Sequence, residues 1–103
     1  MTATTAHKAT ESLRRAIERR LKDAEGWAWD ADNQCGVFRG RFNTVTVQAR
    51  VTGFEVDVWV GRAKTVHRVR DVAGQPILSG EYKTLGAALR NGRMYSNSNY
   101  KRS

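Results

Sequence analysis

The groups in this chain that could make or break a covalent bond are few: Cys35, His7, His67 and ten carboxylates. Cys35 and His67 could be combined as a thiol nucleophile and its base, but that chemistry needs a third group to orient the imidazole, and nothing in the sequence positions one. Standing beside Gly36, the cysteine reads instead as a small, half-buried residue. Glu55 and Asp57 alternate along one segment, as do Asp30 and Asp32, and either pair could divide acid and base roles if its environment pushed the two pKa values apart. Both pairs are more simply solvent-facing residues, with Glu55 matched to Arg50. No HExxH, CxxC, GxSxG or phosphate-loop spacing occurs, so no catalytic residue, metal site or cofactor is expected.

The cations point to a different chemistry. Eighteen Lys and Arg against ten Asp and Glu give a net charge of +8. Residues 1–35 hold six of each sign, so the whole excess lies in residues 36–103, where twelve cations face four acids and nothing acidic follows Tyr82. A one-sided excess of this kind attracts phosphates or an acidic protein surface. Three groups of cations stand out. Arg39, Arg41 and Arg50 alternate with Thr46, Gln48 and Trp59 in a β-rich stretch; Arg62, Lys64, Arg68 and Arg70 crowd into nine residues; Lys83, Arg90, Arg93, Lys101 and Arg102 close the chain with Tyr95 and Tyr100 among them.

These residues need elements to hold them. The chain is 103 residues long, 40% hydrophobic and 27% charged, which suits one folded domain over 1–103. Ala6, Ala9, Leu13, Ala16, Ile17, Leu21 and Ala24 recur at spacings of three and four, which predicts an amphipathic helix over 5–25, N-capped by Thr5 or Thr10 and stopped at Gly26. Glu11/Arg15, Arg14/Glu18 and Glu18/Lys22 are its i,i+4 pairs. Arg20 breaks the pattern: it falls inside the apolar stripe, one turn from Ala16 and Ala24. Either its stem lies across the sheet and carries the guanidinium to an edge, or the charge is aimed through the gap toward a ligand or a carboxylate.

From Trp27 the period changes to two, and a sheet is predicted over 27–82. Trp27 to Asp30, Val37 to Phe42, Val45 to Val51 and Phe54 to Val60 form an antiparallel meander. With Asn43-Thr44 and Thr52-Gly53 as loops, Phe42 meets Val45, Val51 meets Phe54, and apolar residues meet along one face. The opposite face then gathers Arg39, Arg41, Arg50, Gln48, Thr46 and Trp59 in water, an Arg-rich platform for phosphates and bases, although Glu55 and Asp57 share it. Trp59 either meets a partner there or packs on the stem of Arg39 or Arg41, or under the C-terminal tail. Lys64 to Val72 is a bent or edge strand, whose cations also suit protection of a sheet edge; Ile77 to Tyr82 is a last strand. Thr84 caps a short helix over 84–92, and 94–103 is a flexible basic tail.

The fold class is therefore α+β: a helix on one face of a meander of four to six strands, then a short helix. A three-stranded meander followed by a helix resembles, in layout, integrase N-terminal and AP2-type DNA-binding domains, whose motifs this chain lacks. The leading expectation is a small nucleic-acid-binding domain, for DNA or RNA. The alternative is a non-catalytic inhibitor or adaptor, phage- or mobile-element-encoded in the manner of an anti-CRISPR protein, docking on an acidic host surface. One cysteine, no run of roughly 20 apolar residues and no apolar leader segment lead to the expectation of a cytoplasmic protein without a membrane partner.

Overall fold

The computed structural model of the chain describes residues 3–60 and 76–97, with side chains given for 10–59 and 76–97. The order is α1 (Ala3–Leu21), β1 (Trp27–Asp30), β2 (Cys35–Arg39), β3 (Asn43–Arg50), β4 (Gly53–Val60), β5 (Leu78–Tyr82) and α2 (Leu85–Ser96). The five strands form one antiparallel sheet in the order β1-β2-β3-β4-β5. This is the α+β meander with flanking helices that the periodicities imply. The predicted strand over Lys64 to Val72 lies outside the described residues; β5 pairs directly with β4, Phe54 opposite Tyr82.

Both helices pack on one face of the sheet. Ile17 and Leu21 of α1, with Ala88 and Leu89 of α2, are buried against Phe38, Val45, Val47, Ala49, Phe54, Val56 and Val58. These are the alternate positions that period-two reading assigned to the core. Trp27 joins them, its ring 5.2 Å from that of Phe38. Along α1, Glu11 takes both Arg14 and Arg15 at 3.7 Å, and neither predicted pair of Glu18 forms.

The registers differ from the predicted ones by an even number of residues, so the faces are right and the partners are not. In the β3–β4 hairpin Val51-Thr52 is the loop and Ala49 faces Phe54, Val47 faces Val56 and Val45 faces Val58. Gly53 is needed in the strand rather than in the turn, because a Cβ there would meet the Tyr82 carbonyl oxygen at 2.5 Å. In the β2–β3 hairpin Phe38 faces Val45 and Arg39 faces Thr44, and the turn runs through Gly40 to Phe42.

That turn is fixed by α2. The predicted end at Asn91-Gly92 is wrong: the helix continues to Ser96, and residues 94–97 belong to it or its cap rather than to a tail. Gly92 is where the helix comes closest to the sheet, since an added Cβ would lie 3.0 Å from Val45 and 3.1 Å from Trp27. Thr84 does cap the other end, its Oγ1 accepting from the Ala87 amide at 3.3 Å. At the C-terminal end the Phe42 amide donates to the Ser96 carbonyl (3.2 Å), the Arg41 amide donates to Asn97 Oδ1 (3.0 Å), and Asn43 Nδ2 donates to the Tyr95 carbonyl (3.1 Å). The bonds from Phe42 and Asn43 use carbonyls that a helix end would otherwise leave to water.

Candidate functional site

The open platform expected on the second sheet face is not assembled. Registers place that face in rows: Asp30, Cys35, Gln48, Glu55 and Glu81; then Ala28, Val37, Thr46, Asp57 and Ser79; then Arg39, Thr44 and Trp59. Cys35, Val37, Thr44, Thr46, Asp57 and Trp59 are all buried, Trp59 at 6% exposure. Its indole Nε1 donates to Thr46 Oγ1 at 2.9 Å, so it is a packed, hydrogen-bonded residue and not an exposed stacking surface. Cys35 is fully buried, which removes it as an accessible nucleophile.

The cations of that face are dispersed. Arg39 lies beside Thr44, while Arg50 is six residues further along β3, a separation of about 20 Å along the strand direction. Arg50 holds Glu55 through Nη2 and Oε2 at 2.8 Å, a predicted pairing that the structure keeps on this face, as it does the contact of Trp59 with Thr46. Gln48 is half-buried between Cys35 and Glu55. Arg41 is exposed in the β2–β3 turn, its guanidinium carbon 5.3 Å from the centre of the Phe42 ring. Arg62, Lys64, Arg68, Arg70, Lys101 and Arg102 lie outside the described residues, as do His67 and Tyr100. Tyr95 packs against the core from α2 and is not part of a tail.

Two carboxyls remain beside Arg50. Burial pushes the Asp57 carboxyl up from the ordinary 3.8 to about 6; the Ser79 hydroxyl, donating at 2.6 Å, works against this, and the adjacent Glu55 adds to it. Burial would also raise Glu55, but bonds from Arg50 and Asp57, with the Arg50 charge, hold it below its usual range. Among the described residues no three ligating side chains converge on a metal position. Asp30, of the other predicted pair, accepts from the Asn33 amide and side chain at 3.1 Å each and serves the β1–β2 turn.

A different set of cations does converge. The C-terminal end of α1, the turn after it and the exposed side of α2 border an open groove of about 460 Å³ lined by Arg20, Asp23, Ala24, Glu25, Trp27, Gly86, Leu89, Arg90 and Arg93. Trp27 and Leu89 give it an apolar floor, and Gly86 keeps it open, with no atom within 4 Å of a Cβ built there. Arg20, Arg90 and Arg93 are exposed, and none of them forms an ion pair among the described residues. Arg20 thus resolves its misfit in the apolar stripe by reaching the rim of a gap between helices. Sequence reading named Arg90 and Arg93 but missed Trp27, Asp23 and Glu25; the available signal was an arginine flanked by alanines on an apolar face.

Compared with known proteins, the chain matches no family model, no curated protein and no solved structure. No helix of the described residues is long and apolar enough to cross a membrane.

Proposed function

We propose that this protein binds nucleic acid, and that the phosphate backbone is taken up in the groove between α1 and α2. One observation carries the reading: Arg20, Arg90 and Arg93 come from two separate helices to one open groove, with no ion pair among the described residues to occupy them. Guanidinium groups suit this task because their fork of N–H donors fits phosphate oxygens, and a partly exposed tryptophan beneath them offers a ring for a sugar or base. The site is moved from the sheet face to the helices, and the chemistry is that expected from the charge distribution. Fluorescence anisotropy of a labelled oligonucleotide across a salt series tests it. Three phosphate contacts predict a slope of log K against log salt of about −2 for a single strand and about −3 for a duplex. A slope near zero, or no binding at low salt, would sink the proposal.

A second reading, a non-catalytic adaptor docking on another protein, is favoured by Asp23 and Glu25 inside the groove and by the exposed Phe42 and Met94. In that case the two acids are contact residues, and replacing them weakens association with the partner.

A further inference from the structure

Gly86, Arg90, Arg93 and Asn97 follow one another at spacings of four, three and four, so they form a single stripe along the exposed side of α2. From Arg90 to Asn97 the stripe runs about 10 Å. Its last residue caps the helix and is also joined to the β2–β3 turn: Asn97 Nδ2 donates to the Arg93 carbonyl at 3.2 Å, while its Oδ1 accepts the Arg41 amide at 3.0 Å. The Asn97 bond brings the β2–β3 turn, with Arg41 and Phe42, to the end of this stripe, beyond the groove lining that stops at Arg93. Phe42 is 36% exposed with the Arg41 guanidinium over its ring, and its backbone is pinned to Ser96. The turn cannot be displaced freely from the helix end, because Gly40 lies directly against Ser96.

Resting on the groove reading above, we infer that the bound nucleic acid is single-stranded, with its backbone along Arg90, Arg93 and Asn97 and one base stacked on Phe42. An aromatic ring at the end of a cationic track is the arrangement that binds unpaired bases, since a base inside a duplex has no free face to offer. Charge complementarity supports a polyanion here: the sequence has no acid between Asp32 and Glu55 and none after Glu81, so neither the segment that carries Arg41 nor α2 has an acid of its own.

The probe is a fluorescein-labelled oligothymidine of about 12 nucleotides beside a hairpin duplex of the same charge, with the full chain and its variants. The wild type is expected to prefer the single strand. Phe42→Ala should lower that affinity by roughly 5- to 100-fold while leaving the salt slope and the circular dichroism spectrum unchanged, and Phe42→Trp should restore it. Phe42→Leu keeps the apolar bulk without the ring and should behave as Phe42→Ala, which guards against a loss due to misfolding. Equal affinity for duplex, or full affinity in Phe42→Ala when Arg90→Ala has lost it, overturns the single-strand assignment and leaves the groove standing. No binding of either oligonucleotide by the wild type at low salt overturns both.

Discussion

At the scale of single residues, the second sheet face is where charge and burial conflict. Asp57 is buried next to Glu55, and its carboxyl titrates near 6 instead of 3.8. Between those values the folded protein holds a proton that the unfolded chain has released, so the stability contributed falls as pH rises through about 4 to 6. Glu55, held low by Arg50, acts in the opposite sense. Asp57→Asn keeps an oxygen for the Ser79 hydroxyl and supplies an N–H toward Glu55. It should therefore raise stability in urea by about 1–3 kcal/mol at pH 7.5 and flatten the dependence between pH 4 and 6. Equal or lower stability of the variant at pH 7.5 would show that the buried charge is better satisfied than this geometry implies. None of this was visible in sequence, where Asp57 and Thr46 read as solvent-facing on the outer sheet face and Thr44 as part of a loop.

At the scale of elements, period-two and period-three-to-four patterns identified both helices, the strands and the core face, because burial on one side imposes those periods directly. Partner choice was not recoverable from them. A shift of two or four residues preserves every apolar contact in kind, and what selects among such registers is long-range: the Tyr82 carbonyl against Gly53, and Ser96 against Gly40, 56 residues away in the chain. The end of α2 was misread for a related reason, since Gly92 serves close packing against Val45 and Trp27 rather than a stop. Gly40→Ala tests the docking of turn on helix. Its Cβ would meet the Ser96 side chain, and the Ser96 carbonyl at 2.5 Å, with no flexible group to yield. A destabilisation of about 2–4 kcal/mol is expected, with exchange protection lost first at the Arg41 and Phe42 amides. Unchanged protection of those two amides would mean that the turn holds its place without α2.

At the scale of the whole molecule, the charge imbalance was readable but its location was not. Composition led to the expectation of a polyanion partner, and the registers disperse Arg39 and Arg50, cations expected to act together. Arg39, Arg41 and Arg50 stand on different parts of the sheet, and Arg50 is engaged with Glu55. Two helices far apart in sequence bring Arg20 to Arg90 and Arg93 instead, with Asp23 and Glu25 on the same groove. Those acids make a signed prediction. If phosphate is the ligand, Asp23→Asn with Glu25→Gln removes repulsion and strengthens oligonucleotide binding about 3- to 10-fold, most at low salt. Weaker binding in that variant would place the acids in direct contact with a partner and favour the protein-docking reading.

The central claim is that α2 and the end of α1 carry the binding surface. Its most direct test is anisotropy of a labelled oligonucleotide at low salt with Arg90→Ala/Arg93→Ala beside Arg39→Ala/Arg50→Ala, each variant first shown to melt as the wild type does. The helix pair should lose at least about 10-fold in affinity and flatten the salt slope by about 1 to 2, whereas the sheet pair should bind within about 2-fold of the wild type. Loss confined to the sheet pair would contradict the claim and return the site to the face where the sequence alone had placed it.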